Sequence, residues 1–156
     1  TVYDFKNQIK SEKINIFHKS NKVLVGSKCF IGQPILEFGQ ISQQAYISFL
    51  KKVVKKEGQI TYYAHPQEKI LENLQLDGLT YIKSKLTIEK NFELNGIPEH
   101  VISFYSSSLL NLKMCNPEIR FYYVLNDFSI TSKSVFKTYQ DLLDRSGIMQ
   151  YQIPIT

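Results

Sequence analysis

Ile60-Thr61-Tyr62-Tyr63-Ala64-His65-Pro66-Gln67-Glu68, ITYYAHPQE, is the stretch on which the reading of this chain turns. Ile60–Tyr63 is a short apolar run of β-branched and aromatic residues and reads as a buried strand. The run stops at His65-Pro66, because Pro66 lacks an N–H, has a fixed φ and disfavours helix at His65. His65 is then left extended at the strand's carboxyl end. Gln67–Leu74 is expected to start a helix, with Pro66 near its first turn. In open parallel α/β sheets, ligands bind outside the carboxyl ends of the strands. His65 would lie there, beside a helix N-terminus whose free N–H groups suit an anion. Taken by itself, His-Pro has a plainer reading as a histidine on a loop.

Upstream, Lys22–Ile31 is apolar and β-rich around Gly26 and reads as one strand or two short ones, broken by Gly32-Gln33-Pro34. Ile35–Gln40 is a loop holding Glu37 and Gly39. Ser42 is a good N-cap for a helix in which Ala45, Tyr46, Phe49, Leu50, Val53 and Val54 recur at helical spacing, with Gly58 as the stop. Lys51, Lys52, Lys55 and Lys56 lie mostly opposite that stripe and read as a solvated face. Lysines in the last turn also suit the helix dipole.

Downstream, Asp77-Gly78 is a turn, Leu79–Ile82 a short strand, Ser84–Ile88 a loop and Glu89–Leu94 a short helix ended by Asn95-Gly96. Val101–Tyr105 is a strand running into Ser106-Ser107-Ser108, and Leu109–Leu112 is helical. Ile119–Leu125 is the most strongly β segment. Val135–Leu143 is a last helix with Ser134 as a nearby cap, and Tyr151–Thr156 is a tail. Residues 1–21 read as a connecting or edge segment and residues 22–156 as one domain. Strands and helices alternate five times at βαβ spacing, so the expected class is α/β: a Rossmann-like parallel sheet with helices on both faces.

A chain of 156 residues suits one domain with a real core, and 43% hydrophobic with 21% charged residues is close to a globular average. No apolar run is long enough to span a bilayer. The chain opens on Thr1 rather than Met, which reads as a processed product or an excised domain. A net charge of +5 suits an anionic ligand or surface, but the charge is scattered and does not indicate nucleic acid. Cys29 and Cys115 lack metal-type spacing and read as free thiols. There is no GxGxxG, P-loop or HExxH, and no metal-binding pattern.

Three strand ends carry unusual polar groups: Gly32–Gly39 with Glu37, His65-Pro66 with Glu68, and Ser106-Ser107-Ser108 directly before a helix. Hydroxyls and free N–H groups at such an end suit a phosphate. Glu89 opens the helix that follows the intervening strand. Singly, a serine there is an N-cap and Glu89 a favourable partner of the helix dipole. Their occurrence together at successive strand ends favours a site.

The order GQPILEFG, YYAHPQE, TIEKNFEL and SFYSSSLLNL resembles the bacterial lipooligosaccharide sialyltransferases of glycosyltransferase family fifty-two, over roughly residues 22–125. The resemblance implies the carboxyl-terminal, nucleotide-binding lobe of a two-lobed GT-B enzyme. Its donor substrate would be CMP-sialic acid, with no cofactor and no metal. The lobe would transfer sialic acid with inversion to a sugar hydroxyl of a cell-surface glycan such as lipooligosaccharide, with the glycan acceptor held largely by a missing lobe. It would be inactive alone. His65 matches the family's motif histidine, which contacts the CMP phosphate and acts as general acid. Ser106 and Ser107 match the phosphate-binding serine motif, with Ser108 as an alternate. Glu89 resembles the glutamate that holds the ribose, and Pro66 would shape the turn and face the cytosine. Glu37 lies in a stretch similar to the family's acidic-glycine motif and is the candidate base, although one acid stands where related motifs carry two. Gln67 stands where many relatives have Arg. The implied setting is cytoplasmic, at the inner face of a bacterial membrane. Peripheral membrane association and a homodimer are both compatible with it. Two other readings stay open: a non-catalytic nucleotide- or phosphate-binding module, and an interaction domain using the lysine helix and tyrosines.

Overall fold

A computed structural model describes residues 19–20, 22–72, 74–124 and 133–153, with side chains from residue 137 onward in the last stretch. The edge or connecting element expected before residue 19 lies outside the described residues. Ten elements follow in order: β1 (Val23–Ile31), α1 (Gln43–Glu57), β2 (Ile60–Ala64), β3 (Leu79–Lys83), α2 (Ile88–Asn95), β4 (Ile97–Ser103), α3 (Ser107–Cys115), β5 (Arg120–Tyr123), α4 (Lys133–Arg145) and β6 (Met149–Gln150). The strands form one six-stranded sheet in the order β3-β2-β1-β4-β5-β6, and every pairing is parallel. The α/β, Rossmann-like class expected from the sequence is therefore what the chain adopts.

Period-two alternation divides the core between the two faces of the sheet. On one face Phe30, Tyr62 and Ile102 pack under α1, whose Tyr46, Phe49, Leu50 and Val53 are buried. Phe30 stacks on Tyr62 at 5.7 Å and meets Phe49 and Phe104 edge-on at 5.8 and 5.3 Å. Truncating it to Ala would cost about 3–5 kcal/mol. On the other face Cys29, Ile31, Val101, Phe121 and Tyr123 pack against Phe92 of α2, Leu109 and Leu112 of α3, and Leu143 of α4. Cys29 and Cys115 are both free, and burial pushes the Cys29 thiol far above its ordinary range.

Helix α1 begins and ends where the sequence places it. The Ser42 side chain accepts from the Ala45 N–H, and Gly58 at φ 78° returns its N–H to the Val54 carbonyl. Strand β1 is continuous but kinked. Its register to β4 shifts between Leu24 and Lys28, at Gly26 (φ 74°), whose N–H donates to Glu99 Oε2 at 2.9 Å. Strand β4 starts at Ile97, earlier than expected, because Pro98 sits in register with Leu24 near the strand's start, where a missing donor is tolerated. Helix α4 starts at Lys133, so Ser134 lies inside it rather than before it. Strand β6 was not anticipated; its two residues add an edge to β5.

The helix expected over Gln67–Leu74 does not form. The described residues there run through successive turns, closed by Glu68 N–H to His65 O at 2.9 Å, Glu72 N–H to Lys69 O at 3.2 Å and Leu74 N–H to Leu71 O at 2.9 Å. The N–H groups of Lys69 and Ile70 donate to Glu37 Oε1 at 2.7 and 3.0 Å, which fixes this turn against the 34–40 loop. Among the described residues no helix is long and apolar enough to cross a membrane.

Candidate functional site

The carboxyl ends of β1, β2 and β3 open into a cleft of about 200 Å³ on the α2–α3 face of the sheet. Gly32 follows β1 and ties its N–H to the Tyr63 carbonyl at 2.8 Å, which keeps the β1 and β2 ends level. His65 and Pro66 follow β2, Ser84 follows β3, and Thr87, Glu89 and Asn91 come from the start of α2. Ser108 completes the wall from the first turn of α3. Two helix N-termini, capped by Thr87 and Ser106, thus border the space, although the helix expected directly after Pro66 is absent.

His65 is half-buried. Its Nδ1 accepts from the Gln67 N–H at 3.2 Å, so the neutral ring carries its proton on Nε2, the side left for a ligand. Burial lowers its pKa below the ordinary histidine value, against an upward pull from Glu37. The same ring also lines a second, larger recess of about 350 Å³ with Phe38, Gln40 and Phe104, on the α1 side of the sheet's crest.

The three serines are not equivalent. Ser106 is 8% exposed, and its hydroxyl accepts from the Ser108 N–H at 3.2 Å as the N-cap of α3. Ser107 is exposed and, like Ser106, is not part of the cleft wall. Ser108 is the serine that lines it, so the alternate position is the one that shares the cleft with His65. Pro66 and Glu89 line the same cleft. The Asn111 amide donates to Glu89 Oε1 at 3.5 Å, a long bond that leaves the carboxylate available to hydroxyl donors.

Glu37 stands apart, outside the walls of both cavities. Its Oε1 staples the 34–40 loop to the Lys69–Ile70 turn, while Oε2 is enclosed without a partner. Burial works to raise its pKa, but the two N–H donors outweigh that and hold the carboxyl ionised below its ordinary value. A base role for Glu37 would need this loop to open toward an acceptor.

Beneath the turn lies a buried acid. Glu68, 1% exposed, accepts from the Tyr62 hydroxyl at 2.5 Å and from the His65 N–H at 2.5 Å, and the Tyr62 and Tyr46 hydroxyls are 2.8 Å apart. Burial raises the Glu68 carboxyl to about 7. Gly32 makes room for this group: a Cβ there would run into Glu68 Oε2 and the Tyr62 hydroxyl and come within 2.7 Å of Tyr62 Cζ. Glu68 therefore sets the backbone of His65 from below. The sequence marks Glu68 as polar at a strand end but carries no signal that its side chain turns inward. Asn91 and Ser84 were also missed. Asn91 had one faint mark, an amide where α2's buried face calls for an apolar side chain.

Among the described residues no group of three or more His, Cys, Asp or Glu could hold a metal ion. No family model, curated protein or solved structure matches this chain.

Proposed function

We propose that this chain is the donor-binding lobe of an inverting sialyltransferase with a GT-B architecture, taking CMP-sialic acid and passing sialic acid to a glycan hydroxyl. The observation that carries this reading is the convergence of His65, Pro66, Glu89 and Ser108 on one cleft at the strand ends. Such a constellation suits a nucleoside monophosphate: a carboxylate for a ribose diol, apolar walls for a base, and hydroxyl, imidazole and helix N–H donors for a phosphate.

In the reaction the bond between the anomeric carbon and the phosphate oxygen breaks, and its electron pair goes to CMP. His65 Nε2–H and the Ser108 hydroxyl would meet the charge that develops on that phosphate. The acceptor hydroxyl attacks from the opposite face and gives its proton to a carboxylate. Glu37 fills that role only if its loop opens; otherwise the acceptor lobe supplies the base. In the bound donor the phosphate is a diester monoanion; its charge beside His65 would raise the ring's pKa, so the group neutral in the free protein becomes a better acid once the donor is bound.

Calorimetric titration with CMP and cytidine tests the reading. CMP is expected to bind more tightly than cytidine, and His65→Ala and Ser108→Ala should narrow that gap by about tenfold each. Failure of CMP to bind, or an undiminished gap in both variants, would refute it.

A further inference from the structure

The sheet-facing side of α2 carries Ile88, Asn91 and Phe92. Phe92 is 1% exposed and Ile88 packs on the same core cluster, yet between them stands an amide that is itself only 8% exposed. A buried amide is costly unless bonded. Half of this one is satisfied: the Asn95 Nδ2 donates to Asn91 Oδ1 at 3.2 Å. That bond turns Oδ1 along the helix and leaves Nδ2 as the donor presented to the cleft that Asn91 lines. The apolar Pro66, Ile82, Leu86 and Ile88 share the cleft with polar residues, among them Gln33, Ser84 and Thr87. An apolar wall with a buried amide donor fits the flat face of a nucleobase and one acceptor on its edge.

We propose that Asn91 is the residue that selects the base, donating from Nδ2 to the unprotonated ring nitrogen N3 of cytosine. This rests on the cytidine-nucleotide reading of the cleft and deepens it. Uracil presents N3–H at the same place, so two donors would face each other and neither would be satisfied by the other. The penalty for such a mismatch is large compared with that for a lost methyl group. Asn91 thus does for the base what Glu89 does for the ribose, from two residues further along the same helix.

The experiment is titration of the full chain with CMP and UMP, for the native protein and for Asn91→Asp and Asn91→Leu. Native protein should prefer CMP by about tenfold or more. Asn91→Asp replaces the donor by an acceptor and should reverse the preference toward UMP. Asn91→Leu should lose CMP affinity by about tenfold while its melting temperature holds or rises, because an apolar side chain suits that buried position. Variants that keep the native CMP-to-UMP ratio, in a native protein that binds CMP, would overturn this assignment alone. A native chain that binds no CMP would overturn it together with the function it rests on.

Discussion

Glu68→Gln is the substitution that tests the buried acid beneath His65. The carboxyl is raised from 4.5 to about 7 by burial, so the folded protein keeps a proton that the unfolded chain has already released across that window. An acid with a raised folded pKa contributes its full stability below about pH 4.5. That contribution is lost as pH rises through about 7. At about 1.4 kcal/mol per pH unit, the gap corresponds to on the order of 3 kcal/mol. Gln is the neutral isostere. Its carbonyl can take the His65 N–H and its amide can donate to the Tyr62 hydroxyl, which still reaches Tyr46. The variant and native chains should therefore be about equally stable at pH 4.5. At pH 8 the variant should be ahead by on the order of 2–3 kcal/mol. Urea unfolding at half-unit pH intervals, followed by far-ultraviolet circular dichroism, measures the difference directly. Parallel pH profiles for the two proteins, or a Gln variant that is weaker at pH 8, would refute the reasoning.

Gly32→Ala should destabilise the fold by about 1–3 kcal/mol, because the new Cβ meets the Tyr62–Glu68 pair rather than open space; the urea midpoint at pH 5 checks it. Ser106→Ala should cost about 1 kcal/mol of stability through loss of the α3 cap, whereas Ser108→Ala should stay within about 0.5 kcal/mol, as paired thermal melts would reveal. Glu89→Gln should weaken CMP by about 1–3 kcal/mol and leave deoxycytidine monophosphate nearly unaffected, measured by titration. CMP binding at pH 7 should take up protons through His65 while cytidine binding does not. Calorimetry in buffers of differing ionisation enthalpy distinguishes the two.

The parts of the fold that could be read from sequence are those in which one residue acts on its near neighbours. The Ser42 cap, the Gly58 stop, the apolar stripe of α1 and the β-rich run at Ile60 are all of that kind, and each appears in place. The Gln67–Leu74 helix failed because its fate is set from elsewhere. Glu68 turns in toward Tyr62, and Glu37, more than thirty residues upstream, fixes the Lys69–Ile70 turn through two backbone N–H groups. The same distinction runs through the site. His65, Pro66 and Glu89 are marked by local chemistry, and the cleft gathers them. Which serine faces it is settled by the helical phase of α3 after Ser106 is used as the cap, and that could not be read before the cap was known. Asn91 shows itself only when the buried face of α2 is known.

The strand order has a consequence for how the chain comes together. Strand β1 lies at the centre of the sheet, yet its partner β4 lies about seventy residues later, with Cys29 facing Val101 and Ile31 facing Ser103. Non-local parallel pairing of this sort slows folding, because a long loop must be closed before the contacts repay it. On the ribosome, β1, α1, β2 and β3 emerge first and can assemble as a half-sheet. Until β4 arrives, the β1 side of that half-sheet is a raw edge bearing Phe30 and Ile31, both buried in the finished sheet. Synthesis thus passes through an interval in which the middle of the finished molecule is its stickiest exposed border. Charged substitutions in β1 would trade that hazard for a broken core, because Cys29, Phe30 and Ile31 are buried in the finished sheet.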